Sequence, residues 1–396
     1  MPLSVKDLLL KNNAWYNYHS YYSEHGGIRD TVIKNITGLI SCRHYARGHA
    51  EYCCINPECT HSKRVAFSCK SRACSSCGRM ATERWIEKQK AILPPCEWQH
   101  VTMTMPAILW PFFNVDRSLL NKLCKVGANV LKKIASFKNV IPGLFMALHT
   151  FGRDLKWNTH LHISITRGGL DKDTHEWKSL FFKTKNVMRM WRYSVIRLLR
   201  RQWNAGLLII PAEYNDEDIN ILFDKQYKKH WHVHCAKPHK NPKKDIEYLG
   251  RYLKRPAIAN SRLVHYNGND VLFSYLNHKT KKEQIRTCDI FEFIHRFTQH
   301  IPEKNFRMIR YYGFLSNALR GKLLPIVNQY FNNYNTLRKV TWQKLIQKTL
   351  GFNPLECIIC HNALRFSGLA IGLSTLQFHY HFAALAQRKI IRPNYA

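Results

Sequence analysis

Two tyrosines, Tyr248 and Tyr252, stand four residues apart in the stretch YLGRYLKR. On a helix that spacing puts both phenols on one face. An aromatic stripe packed into a core has the same spacing, but here Arg251, Lys254 and Arg255 surround the pair, and cations beside hydroxyls suit a phosphate. A phenol titrates near pH 10, about three units above neutrality, so it attacks phosphorus only with activation. A divalent cation supplies that by polarising the phosphate and withdrawing charge from the leaving oxygen. The sequence His160-Leu161-His162 is a candidate holder: residues i and i+2 of a strand point to the same face. In a chain of 21 histidines the HxH pattern is weak by itself, and His232-Val233-His234 and His379-Tyr380-His381 repeat it.

A different chemistry is written between positions 42 and 77. Cys42, Cys53, Cys54, Cys59, Cys69, Cys74 and Cys77 crowd there, out of thirteen cysteines in the whole chain. Short CxxC-like loops present two thiolates to one zinc ion, which takes four ligands. Cys74 and Cys77 form one such pair and Cys54 with Cys59 a looser one, while Cys42, His49, His61 and Cys69 are left over, enough to complete a second site. Cys53 competes with Cys54, and the histidines are interchangeable on paper. The pair Cys357 and Cys360 is half a site and reads as structural or inert. A zinc ion with every position filled by protein has no place for water, so such a module offers a rigid surface, with Lys63, Arg64, Lys70, Arg72 and Arg79 suited to phosphate contacts.

These groups need elements to position them. Residues 1–95 read as a zinc-binding unit, with an aromatic leader (Trp15, Tyr16, Tyr18, Tyr21, Tyr22) and an exit helix from Met80 to Ile92 that Pro94-Pro95 ends. Residues 96–305 begin with a strand from Gln99 to Met105 in which apolar and polar residues alternate. A helix with Leu119, Leu123, Val126, Val130 and Ile134 at helical spacing follows. Strands from Phe145 to Thr150 and His160 to Thr166 come next, around a turn at Gly152, Arg153 and Asp154. In the second strand Leu161, Ile163 and Ile165 face a core, which leaves His160 and His162 on the other side. A basic helix from Asn186 to Trp203, a strand from Trp231 to Cys235 and a helix from Lys244 to Lys254 complete the unit. This order predicts an α+β fold, an antiparallel sheet flanked by helices. Residues 306–396 read as a helical, basic C-terminal region.

Lysine and arginine outnumber acids 61 to 26, a net charge of +35 spread along the chain, which favours a polyanionic partner. Membranes are polyanionic too, but no apolar run reaches the roughly 18 residues a bilayer requires, and no signal peptide is expected. The expectation is a soluble, intracellular protein with reduced thiols.

Five blocks in order, SCKSRACSSCGRMATERW, HVTMTMP, LHTFGRDLKWNTHLHISITRGG, WHVHCAKPHKNPKKDIEYLGRYLKRPAIANSRL and RMIRYYGFLSN, followed by LGFNPLECIIC, resemble the two-tyrosine HUH transposases of rolling-circle insertion sequences. The resemblance runs from Cys42 to about Arg365. It selects His160 and His162 as the metal-binding HxH and makes His232 and His234 incidental. It implies an HUH endonuclease-type fold, a DNA-recognition role for the zinc-binding residues 1–95, and a metal-dependent DNA transposase holding Mg²⁺ or Mn²⁺, cytoplasmic and nucleoid-associated in a bacterial-type cell. Tyr248 and Tyr252 would cleave and rejoin single-stranded DNA at element ends through a 5′-phosphotyrosine. A homo-oligomer is compatible with this. The third metal ligand is open: His149 is the candidate, since a hairpin through Gly152 brings it opposite His160, and Asp154 and His100 are rivals. Two positions depart from the family pattern: Asn158-Thr159 stands where His-Pro is common, and Cys54/Cys59 is wider than the usual CxxC. The competing readings are an HUH replication initiator or relaxase, and a zinc-dependent DNA-binding protein without catalysis. An RNA-binding protein is a third, without an aromatic strand pattern to support it.

Overall fold

The computed structural model describes residues 3–215, 218–241, 246–247, 249–250, 255–277, 280–333 and 341–387. Its strands are β1 (Gly48–Cys54), β2 (Ser62–Ala66), β3 (Trp98–Met103), β4 (Val140–Phe151), β5 (Trp157–Asp171), β6 (Trp177–Ser179), β7 (Val233–Cys235), β8 (Leu263–Tyr266), β9 (Asp270–Leu276), β10 (Glu283–Asp289), β11 (Ile309–Gly313) and β12 (Leu364–Ile371). They form three antiparallel sheets: β12-β1-β2, β10-β9-β8, and a central sheet ordered β11-β4-β5-β3-β7 with β6 on the end of β5. The fold is α+β, as the strand and helix order predicts.

Alternation decides the two faces of the central sheet. Val101 and Met103 of β3, Leu144, Met146 and Leu148 of β4, and Leu161, Ile163 and Ile165 of β5 enter one core. That core is closed by the helices Ser118–Ser136 and Thr184–Asn204, through Leu119, Leu123, Val130, Trp191 and Val195. The first helix comes very close at Gly127, where an added Cβ would lie 2.4 Å from Leu161 Cδ1. The opposite face carries Trp98, Phe145 and Ala147, which pack with Trp85 and Ile86 of the helix Ser75–Lys90 and with Ile246 and Leu249. Thr82 of that helix donates its hydroxyl to the Gly250 carbonyl at 3.1 Å.

A further core joins the N-terminal helices (Leu8, Trp15, Ile36) to Val271, Phe273, Phe293 and Phe297. The apolar packing thus crosses the three divisions read from the sequence. The C-terminal region is also not simply helical. β11 adds to the edge of the central sheet, with Tyr311 opposite Phe145, and β12 pairs with β1 across the length of the chain, Gly48 opposite Ile371 and Cys54 opposite Leu364. Among the described residues, no helix is long and apolar enough to cross a membrane.

Candidate metal centre and zinc module

The β4–β5 hairpin sets His149 directly opposite His160 and Ala147 opposite His162. With a period of two, all three imidazoles then share the face turned away from the Leu161 core. One ring nitrogen from each lies within 4.8 Å of the others. The ring centroids are 5.2 Å apart for His149 and His160, 4.4 Å for His149 and His162, and 4.9 Å for His160 and His162. His149 and His162 are buried. Burial, followed by the neighbouring imidazoles, holds both well below the ordinary histidine range, and burial lowers His160 as well. All three are therefore neutral near pH 7, the protonation state that metal ligation requires.

Neighbours orient the rings. His160 Nδ1 lies 2.8 Å from the Asn158 carbonyl, which can only accept, so Nδ1 carries the proton and Nε2 keeps its lone pair. His162 Nδ1 meets His100 Nε2 at 3.0 Å and Thr102 Oγ1 at 3.4 Å, both from β3. Burial lowers His100 to about 4, so it too is neutral. Of the rivals for a third position, His100 is a partner of His162 and not a member of the trio. Asp154 faces Lys156 Nζ at 3.6 Å and also lies outside it.

The trio opens into a cleft of about 950 Å³. Its polar rim includes Asn158, Ser75, Arg79, Arg153, Arg255 and Arg262. Arg255 thus lines the same cleft as the histidines. Tyr248, Arg251, Tyr252 and Lys254 lie outside the described residues. Between and before them, Ile246 and Leu249 are buried against the Ser75–Lys90 helix, which also supplies Ser75 and Arg79 to the cleft.

The cysteines sort into two quartets. Cys42, Cys69, Cys74 and Cys77 converge with all four sulfurs within 4.8 Å of one another. Cys77 Sγ is 3.7 Å from Cys42 and 3.5 Å from Cys69, and Cys74 Sγ is 3.7 Å from Cys42. A tetrahedron with zinc–sulfur bonds of about 2.3 Å has edges of about 3.8 Å, so the geometry fits a structural zinc. Hydrogen bonds from Cys69, Cys74 and Cys77 pull the Cys42 thiol far down. Cys74 precedes and Cys77 lies in the first turn of the Ser75–Lys90 helix, so this quartet anchors the helix that lines the cleft.

Two expectations are corrected here. His49 belongs to neither quartet, because its Nε2 turns to Glu51 Oε1 at 3.2 Å. Cys357 and Cys360 are not isolated: their sulfurs meet those of Cys54 and Cys59 in the second quartet. The unmatched half-sites 54/59 and 357/360 were the signal for this pairing, and His61 sits beside it with Nδ1 3.1 Å from Cys357 Sγ.

The family model described as "Transposase zinc-binding domain" matches residues 14–105, and the one described as "Putative transposase" matches residues 143–322. The Cys42 quartet falls inside the first match and the histidine trio inside the second, while Cys357 and Cys360 fall outside both. The transposase for insertion sequence element IS801 of Pseudomonas savastanoi pv. phaseolicola is 36% identical over 99% of this chain and 96% of its own. "Putative transposase y4qJ" of Sinorhizobium fredii (strain NBRC 101917 / NGR234) is 29% identical over 77% of this chain and 79% of its own. No solved structure matches. With near-complete coverage of one relative and both family models in register with the two sites, the chain belongs to the family of insertion-sequence transposases that includes the one from IS801.

Proposed function

We propose that this transposase cuts and rejoins single-stranded DNA at element ends by attack of Tyr248 or Tyr252, with a divalent cation held by His149, His160 and His162. The observation that carries the reading is the convergence of three neutral imidazoles, two of them oriented by neighbours, in a cleft edged with arginines. The donor set fits a borderline cation such as Mn²⁺, and Mg²⁺ less well, because nitrogen ligands favour transition metals. When bound, the cation polarises the scissile phosphate. The tyrosine oxygen attacks phosphorus and its proton goes to solvent. The bond from phosphorus to the 3′-oxygen breaks, and that oxygen leaves as a hydroxyl once protonated. The product is a 5′-phosphotyrosine and a free 3′-hydroxyl. Rejoining is the reverse: the second tyrosine cuts another strand, the 3′-hydroxyl freed there attacks the phosphotyrosine phosphorus, a new phosphodiester forms, and the first tyrosine leaves and is reprotonated. Arg255, three residues beyond Tyr252, and the other cleft arginines hold the strand through its phosphates. Rolling-circle transposition on nucleoid DNA is the process such a cut serves.

Incubating the purified chain with single-stranded end DNA and Mn²⁺ tests this. A covalent protein–DNA adduct is expected, lost in Tyr248→Phe/Tyr252→Phe and in His160→Ala/His162→Ala while DNA binding persists. An adduct that survives the double tyrosine change sinks the nucleophile assignment.

A further inference from the structure

The second cysteine quartet is assembled from the two ends of the chain. Cys54 closes β1 and Cys59 lies in the turn to β2, whereas Cys357 and Cys360 lie in the turn that leads into β12. Cys54 Sγ is 3.3 Å from Cys360 Sγ, and Cys59 Sγ is 3.8 Å from Cys357 Sγ. All four sulfurs fall within 4.8 Å of one another. These separations are far beyond the roughly 2.0 Å of a disulfide and close to the edge of a zinc–thiolate tetrahedron.

The backbone around the quartet repeats what is found around the first one. Ser71 N–H donates to Cys69 Sγ at 3.4 Å, and Ile359 N–H donates to Cys357 Sγ at 3.4 Å, the same two-residue step. The residue after a cysteine is left-handed in each, Lys70 at φ 55° and His361 at φ 57°. Backbone N–H groups aimed at sulfur, and a chain that doubles back on itself, are what a thiolate bound to a cation needs for its remaining lone pairs. Cys357 is wholly buried, so an unliganded thiolate there would be costly.

We propose that Cys54, Cys59, Cys357 and Cys360 hold a second zinc ion, which clasps the C-terminal segment onto the N-terminal module. Four thiolates select zinc over harder cations. His61, with its ring against Cys357 Sγ, supports that thiolate and is not a ligand. The clasp fixes the start of β12 against the end of β1, with Lys63 Nζ donating to the Pro354 carbonyl beside it at 3.1 Å. Downstream of β12, the helix Thr375–Gln387 returns to the module, where Phe378 is buried and His379 Nδ1 meets Thr37 Oγ1 at 3.2 Å. The zinc module is in this sense bipartite: one ion is held wholly within residues 42–77, and the other waits for the far end of the chain.

Elemental analysis of the full-length chain, purified reduced and freed of loose metal, should give two zinc ions per chain. Cys357→Ser/Cys360→Ser should retain one and His61→Ala both. One zinc in the wild type, two in the cysteine variant, or iron at the second site overturns the proposal. Should that variant fail to fold, thiol alkylation of the wild type followed by peptide mass spectrometry decides it. Cys54 and Cys360 should be protected until a chelator is added, with exposed Cys53 labelled throughout. Labelling of Cys54 and Cys360 as fast as Cys53 in the zinc-loaded chain would equally end the idea.

Discussion

His162 is held from two sides: its own strand gives it direction, and His100 on the neighbouring strand meets its Nδ1 at 3.0 Å. A ring so oriented offers its other nitrogen with little left to reorganise, and partners of this kind tune metal affinity by about 10–100-fold. His100→Ala should therefore raise the Mn²⁺ concentration for half-maximal adduct formation by about 10–100-fold, with the maximum recovered at saturating metal. An unchanged metal requirement would mean that the β3 contact does not orient His162. His160 has no equivalent handle for mutation, because its partner is the Asn158 backbone carbonyl. The trio was legible in the sequence only with help. Alternation puts His160 and His162 on one face, but the family resemblance was needed to choose them among three HxH patterns, and the hairpin through Gly152 made His149 a candidate beside Asp154 and His100. The part played by His100 was not legible, since a cross-strand contact depends on register, which β3 alone does not reveal.

At the level of elements, the histidine strand is aimed by what presses on its other face. Leu161 stands between the two histidines and points down onto the Ser118–Ser136 helix, which bares Gly127 to receive it. Gly127→Ala would improve helix propensity, yet it puts a Cβ 2.4 Å from Leu161 Cδ1 in a packed core. The overlap should win, with a net loss of about 1–3 kcal/mol. Denaturant unfolding measures that loss, and the adduct assay should show a weaker metal response because β5 is displaced. A stabilised protein would show instead that the core can absorb the methyl. The long elements of the central domain were readable because their apolar periods are sustained: the helices at 118–136 and 184–204 and the strands β3, β4 and β5 all lie close to where periodicity puts them. Of the short strands only β7 was, expected at Trp231–Cys235 and found at Val233–Cys235. β1, with the sequence GHAEYCC, has no clean alternation, and its partner β12 lies some three hundred residues away, so neither the sheet nor the Cys54–Cys360 contact has a local signature.

For the whole molecule the dominant fact is a net charge of +35, and the fold decides where it is spent. One portion lines the cleft beside the histidines. Another lies on the opposite side of the central sheet, on the outer face of the helix Thr184–Asn204. There Lys185, Arg189, Arg197 and Arg201 are exposed at steps of one or two helical turns, with exposed Tyr193 in the middle of the row. Among the described residues none of these four cations pairs with a carboxylate, and Arg197 lies 5.8 Å over the Tyr193 ring. A row of that length spans about 24 Å of helix, enough to follow several phosphates of a duplex. Since the trio faces the other way, DNA on this row would be a different stretch from the strand being cut. Changing all four to Gln should weaken binding to duplex DNA at low salt. The slope of log K against log salt should become shallower by about 0.9 for each phosphate no longer neutralised. Adduct formation on a short single-stranded end at saturating concentration should be unchanged, because that substrate reaches only the cleft. Loss of the adduct in step with duplex binding would place both DNA segments on one continuous path and remove the division of labour between the two faces of the sheet.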